Sequence, residues 1–354
     1  MPMLAELVEL VIGVDTHADT HTAALVATAN GALLATVTVP ADADGYAQLL
    51  GLAERHGGLR AWAIEGAGGY GAGLARHLAD AAELVVELDR PLRPARRAGA
   101  KSDVIDAERA ARDALARTKL AAPKTGPERA ALAALLAARR SAVDAATTAQ
   151  RQLRALVITA PEQVRARFRG HSTRTMIDIA SRVRPGATST DVETFTVLCT
   201  LRALARRIRA LEAEAADHER AIRTIVRSWR PDLLGLVGVG PIVAAVVLSA
   251  WSHPGRCRSD AAFAMLAGAA PIPASSGKTV RYRLNRPGNR QLNRALHTIV
   301  LSRLQYDPDT RTYADGRRSE GKTDRDIKRC LKRYIARQLY RQLENPPTSA
   351  APAA

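Results

Sequence analysis

The sequence predicts an α/β plus α architecture: an N-terminal α/β domain, central coiled-coil helices, and a C-terminal, mainly helical domain with a helix-hairpin-helix-like motif. Three observations predict it. Short apolar runs punctuated by turn residues fill the first 90 residues. An apolar 3,4 spacing runs through 195–226. Only 4% of residues are aromatic while 47% are hydrophobic, a balance that suits close-packed, alanine-rich helices better than an all-β sandwich. At 354 residues the chain has room for two or three domains.

The elements follow in order. LVELVIGVD is an apolar run ending at Asp15, and TAALVATANGALLATVTV holds two more, split at Asn30-Gly31, a strong hairpin turn. LRAWAIEG (59–66) reads as a fourth strand ending at Glu65, Gly71 to Ala82 as a helix, and ELVVEL (83–88) as a fifth strand. After Pro91 and Pro94 come a basic loop and a helix from about Ser102 to Ala116, and the domain closes near Pro123. Residues 127–158 read as a long alanine-rich helix, and 160–192 as a short helical or looped tip. Leu201, Leu204, Ile208, Leu211, Ala215, His218, Ile222 and Ile225 form a coiled-coil seam. It predicts two helices returning on each other, or pairing with another copy. From Pro231 the pattern is helix, Gly-Val-Gly, helix, then a Pro/Gly/Ser loop, a basic segment, a basic helix and a disordered tail over 346–354. The predicted domains are 1–122, 123–230 and 231–345.

Charge bears on partners. The chain carries 52 Lys+Arg against 35 Asp+Glu, net +17. The first 120 residues are net negative, so the whole excess lies downstream, where it points to a polyanion. Nearly all the cations are Arg, whose fork suits phosphate. Codon bias explains Arg over Lys but not the excess itself. Nucleic acid is the leading partner class; a membrane surface fits less well. The three Cys, at 199, 257 and 330, are too few and scattered for a disulfide framework or a CxxC zinc site, and fit a reducing cytoplasm. No apolar run reaches the ~20 residues of a membrane span, and the acidic N-terminus does not read as a signal peptide.

Three constellations carry chemistry. Asp15 and Glu65 end predicted strands, and Asp103 and Asp106 share one helix face. Carboxyl ends of strands gather at one sheet edge, where four carboxylates would repel unless hard divalent cations, Mg²⁺ above all, lay between them. Ordinary backbone capping is the competing reading. In LLGLVGVGPIVAA, Gly238 and Gly240 allow a tight turn with N–H groups facing a phosphate, or simply a turn. Ser275 and Ser276 lie in a loop followed by Lys278, Arg281, Arg283, Arg286, Asn289 and Arg290; an activated hydroxyl there could attack phosphorus. His17, Thr20 and His21 near Asp15 lack a third zinc ligand and are read as structural.

Taken together, IGVDTH, AIEGAGGYG, KSDVIDAERAA, VGVGP, GAAPIPASSG and RPGNRQLNRAL resemble the insertion sequence 110 family of transposases over about residues 9–345. The resemblance implies an N-terminal RuvC-like, RNase H-fold domain whose DEDD tetrad falls on Asp15, Glu65, Asp103 and Asp106 and binds Mg²⁺. It implies that Ser276 attacks the DNA backbone to form a covalent phosphoserine intermediate. It further implies a structured guide (bridge) RNA as partner, subunits assembled as a dimer or tetramer, and a bacterial cytoplasmic, nucleoid-associated location. Lys278, Arg281, Arg283, Arg286, Asn289 and Arg290, with Gly238 and Gly240, would hold nucleic acid. Two departures stand out: Glu65-Gly66-Ala67-Gly68-Gly69-Tyr70 lacks the family's usual Thr, and Asn293 replaces a common Arg. A RuvC-like structure-selective endonuclease using water, and a non-catalytic nucleic-acid-binding scaffold, are the alternatives.

Overall fold

The computed structural model describes residues 3–88, 102–186, 191–275, 279 and 282–346. The predicted basic loop after Pro91, Ser276 and the tail beyond residue 346 lie outside the described residues. The chain divides into two compact units, 1–125 and 126–354.

In the first unit a short helix α1 (Leu4–Leu7) precedes strands β1 (Leu10–Thr16), β2 (Thr20–Ala27) and β3 (Leu33–Pro40), helix α2 (Ala43–His56), β4 (Arg60–Glu65), α3 (Ala72–Asp80), β5 (Leu84–Leu88) and α4 (Asp103–Ala116). The sheet order is β3-β2-β1-β4-β5. The first three strands are antiparallel neighbours, and β1, β4 and β5 run parallel. β1 is central and buried along its apolar length, which explains its unbroken apolar run. One face packs on α2 and α3 through Ile12, Val14, Trp62, Ile64, Leu49 and Leu74. The other packs on α4 through Val11, Ala61, Ala63, Ala110 and Ala111.

The sequence reading contained no α2. Its capping signal is present: Asp42 accepts a hydrogen bond from the Gly45 N–H at 2.9 Å. Gly45 breaks the helical pattern because the helix start presses on Pro40, whose carbonyl oxygen would lie 2.0 Å from a Cβ at residue 45.

The second unit begins with α5 (Pro127–Thr159), α6 (Glu162–Arg165), α7 (Thr173–Arg182) and α8 (Val192–Trp229). Arg139 bonds Glu219 at 3.1 Å and Gln150 bonds Glu212 at 3.0 Å, so α5 and α8 run antiparallel within one chain. The expected seam is rotated slightly. Leu201, Ile208, Ala215 and Ile222 are buried as expected, but Ala205 and Val226 are buried in place of Leu204 and Ile225. Small Ala205 fits where the helices approach closely, and the apolar stripe must also serve α7 and α9, not a single partner helix. His218 is half-buried and lies 3.5 Å from Glu214.

A 3-10 turn (Pro231–Gly235) then leads to α9 (Pro241–Trp251), α10 (Asp260–Leu266), a two-residue β6 (Ile272–Pro273) paired with β7 (Tyr282–Arg283), α11 (Arg290–Tyr306), α12 (Pro308–Ser319) and α13 (Asp324–Glu344). The helix-hairpin-helix expectation is corrected on one arm: Pro231–Gly235 is a single 3-10 turn, because α8 has already ended and Gly235 stops the turn within five residues. Trp251, Phe263, Leu296, Ile335 and Leu339 centre this unit's core. Buried Arg230 ties its ends together, donating to Asp232 at 2.8 and 2.7 Å and to the Gln342 carbonyl at 2.7 Å. Among the described residues no helix is long and apolar enough to cross a membrane.

Candidate metal centre and nucleic-acid interface

Parity decides which side chains meet at the carboxyl edge of the sheet. Successive side chains of a strand alternate faces. Val11, Ala61 and Ala63 pack against α4, so Asp15 and Glu65, in the same odd series, emerge on the α4 face. Each lies one residue beyond the paired Val14 and Ile64. The Thr16 hydroxyl donates to the Glu65 carbonyl at 2.9 Å and ties the two strand ends. Gly66 follows with φ +71°, turning the chain away at once.

Gly13 brings α4 to this edge. A Cβ there would lie 2.0 Å from the Ala107 carbonyl oxygen and 2.4 Å from the Ala111 nitrogen, so the helix backbone rests directly on β1. Ala107, Ala110, Ala111 and Ala114 form the matching small face. Ser102 caps the helix by accepting from the Ile105 N–H at 3.3 Å, which sets Asp103 and Asp106 in the first turn, where carboxylates also favour the helix dipole.

The resulting cluster includes a residue the sequence reading treated as structural. His17 Nε2 lies 3.3 Å from Asp15 Oδ2 and 3.5 Å from Asp103 Oδ1. Asp15, His17 and Asp103 each offer one ligand atom, all within 4.8 Å of one another. Burial pushes the Asp15 carboxyl above its ordinary pKa, His17 opposes this, and the charges of Asp106 and Asp103 add to the rise. Asp106 also pairs with Arg109 at 2.8 Å. Carboxylate oxygens gathered beside an imidazole nitrogen are a donor set that fits a divalent cation. The Asp-x-His spacing was the signal available for His17. His21, by contrast, is fully buried, stacks on Tyr46 at 5.7 Å and bonds the Thr20 carbonyl at 2.9 Å; it is a core residue, and Thr20 is an exposed strand start.

In the second unit Gly238 has φ +83°, and a Cβ there would approach Ile299 Cα and oxygen at 3.1 Å, so this glycine seats the turn on α11. Gly240 has open space at its Cβ and stands at the N-cap of α9. Ser275, Arg283, Arg286 and Arg290 are exposed. Asn289 caps α11, its side-chain oxygen accepting from the Gln291 and Leu292 N–H groups at 3.0 Å each. Ser276, Lys278 and Arg281 lie outside the described residues.

Comparison with known proteins agrees along most of the chain. A transposase family model of the IS110 DEDD type matches residues 12–160, and the model described as the transposase IS116/IS110/IS902 family matches residues 232–315. An insertion element IS110 uncharacterized 43.6 kDa protein of Streptomyces coelicolor is 31% identical over 172 residues, 48% of this chain and 41% of the relative. An insertion element IS900 uncharacterized 42 kDa protein of Mycobacterium paratuberculosis is 32% identical over 160 residues, 42% of this chain and 40% of the relative. The chain thus spans about two fifths of the length of these curated relatives.

Proposed function

We propose that this chain, which belongs to the IS110 family of transposases, cuts and rejoins DNA through a covalent serine–DNA intermediate. The observation that carries the reading is the acidic edge of the first unit, where Asp15, His17 and Asp103 gather ligand atoms within 4.8 Å of one another, Glu65 ends the neighbouring β4 and Asp106 follows Asp103 on α4. The strand order β3-β2-β1-β4-β5, with three antiparallel strands followed by two parallel ones, supports a RuvC-like RNase H fold. Asp15, Glu65, Asp103 and Asp106 would hold Mg²⁺, which when bound supplies positive charge at the phosphate under attack.

Ser276 is the nucleophile in this reading. Its Oγ bonds to phosphorus as the bond from phosphorus to one deoxyribose oxygen breaks. The serine proton ends on the departing sugar hydroxyl. A hydroxyl of another strand then attacks the phosphoserine and releases the serine, so bond energy is conserved and no ATP is needed. Residues 1–122 would form the metal-binding domain, 123–230 a multimerisation region serving a dimer or tetramer, and 231–345 the nucleophile-bearing domain. A structured guide RNA would direct the reaction, and the protein would work in the bacterial cytoplasm beside the nucleoid.

The test is a covalent-adduct assay. The protein is expressed with its flanking noncoding DNA, incubated with element-junction DNA and Mg²⁺, then denatured. DNA linked to the wild-type chain and absent in Ser276→Ala supports the reading. Cleavage without an adduct identifies a water-using nuclease, and no cleavage a binding scaffold.

A further inference from the structure

Between α11, α13, residues 268–271 and residues 284–290 lies a cavity of about 580 Å³. Its frame is rigidly built. Gly288 and Gly268 meet backbone to backbone: a Cβ on Gly288 would lie 2.4 Å from Gly268 Cα. The Asn289 N–H donates to the Leu266 carbonyl at 2.7 Å, Asn285 Nδ2 to the Met265 carbonyl at 2.8 Å, and Asn293 Nδ2 to the Ala267 carbonyl at 2.8 Å. Such a frame holds its shape before anything binds.

Seven of the cavity's lining residues are Arg or Lys, set among small and apolar groups such as Ala269, Ala270, Pro271 and Leu284. Arg286 and Arg290 face it from one side and Arg325, Lys328, Lys332 and Arg333 from α13, and no Asp or Glu lines it among the described residues. Arg329 has Asp326 as a partner at 2.8 Å. Arg286, Arg290, Arg325, Lys328 and Arg333 have no acidic partner among the described residues. Lys332 is placed deliberately: its ammonium donates to Asn293 Oδ1 at 2.9 Å. Burial, helped by Arg329, pulls its pKa below the ordinary lysine value. Like charges assembled against their own repulsion leave the site in want of an anion.

The pattern on α13 indicates which anion. Residues 325, 328, 329, 332 and 333 recur at the i, i+3, i+4, i+7 spacing of one helix face and extend over about 12 Å at 1.5 Å per residue. A strip of that length serves more than one phosphate of a chain, not a single small ion. Pro271 and Leu284 line the cavity and directly flank the paired β6 and β7, the two ends of the segment that contains Ser275 and Ser276.

We propose that this cavity is a backbone seat for a DNA strand: Lys328, Lys332 and Arg333 hold successive phosphates of the strand beside the paired β6 and β7. This rests on the strand-transfer reading above. Lys332, fixed by Asn293, is its positioning residue.

Salt-dependent binding tests the seat apart from the chemistry. A labelled single-stranded DNA of about 20 nucleotides is titrated with the full chain over a range of salt by fluorescence anisotropy. Lys328→Ala with Arg333→Ala should weaken binding at least tenfold at about 100 mM salt. It should also lower the slope of log K against log salt by about 1.4, the value for two single-strand phosphate contacts. Lys332→Gln should weaken binding while Lys332→Arg restores most of it, a rescue that loss of packing alone would not give. Arg206→Ala with Arg207→Ala, two exposed cations on α8, serves as control. Unchanged affinity and slope, an equal loss in the control, or loss confined to an RNA oligonucleotide of the same sequence would each overturn the seat. Failure of the strand-transfer reading would appear separately, as DNA cleavage by the wild-type chain without a protein–DNA adduct.

Discussion

Gly13→Ala should dismantle the acidic edge without touching a carboxylate. The added Cβ lands 2.0 Å from the Ala107 carbonyl oxygen and 2.4 Å from the Ala111 nitrogen, where ordinary contact begins at 3.4 Å. Both are helix backbone atoms and cannot rotate aside, so α4 must retreat by about 1.4 Å, the gap between those two distances. Asp103 and Asp106 travel with it, away from Asp15 and His17. Overpacking of this kind costs about 1–3 kcal/mol, which in a unit of this size lowers its melting temperature by about 4–12 °C. A displacement of about 1 Å in a reacting constellation costs on the order of 100-fold in rate. Differential scanning calorimetry reads the loss of stability, and isothermal titration with Mn²⁺ reads the displacement of the carboxylates from one another. The expected outcome is a lower melting transition and at least tenfold weaker Mn²⁺ binding. Wild-type stability together with undiminished Mn²⁺ binding would refute the argument that the bare backbone of residue 13 positions α4.

Other outcomes follow from the same geometry. His17→Ala should weaken Mn²⁺ binding by calorimetry while leaving the melting temperature nearly unchanged, since the side chain is half exposed; equal affinity would remove His17 from the metal centre. Arg230→Ala leaves Asp232 buried without its cation and should destabilise the second unit by about 3–5 kcal/mol, read by urea denaturation of the full chain. The same pair sets an acid limit. Burial alone would raise the Asp232 pKa, but Arg230 and Gln342 hold it below the ordinary carboxylate value. A depressed folded-state pKa contributes stability that is complete above the unfolded value near 3.8 and is lost as pH falls through the lower folded one. Unfolding free energies measured from pH 5 down to 2 should therefore decline more steeply in the wild type than in Asp232→Asn.

Much of the first unit was legible because β1, β4 and the Ala23–Val26 part of β2 are buried on both faces and so read as apolar runs, and because Asn30-Gly31 marks the β2–β3 hairpin. The carboxylates were legible as strand ends and a helix first turn. Helix α2 was not, since Gly45 looks like a breaker until Pro40 is seen against it. Nor was the depth of Gly13: a strand glycine reads as weakness unless the approaching helix is known. His17 was hidden because one of its two carboxylate partners, Asp103, comes from a helix 86 residues away in sequence, and Asp15 two residues before it does not by itself mark a site. In the second unit the seam was found, but its rotation toward Ala205 and Val226 depends on α5, α7 and α9 sharing one stripe. The basic cavity depends on side-chain-to-carbonyl bonds from Asn285 and Asn293 that no periodicity announces.

The most direct measurement of the central claim is a crystal structure of the chain soaked with Mn²⁺ and recorded at the manganese absorption edge. The account predicts anomalous density bounded by the carboxylates of Asp15, Glu65, Asp103 and Asp106, lost in Asp15→Asn crystals. Manganese bound elsewhere, or none at millimolar concentration, would contradict it.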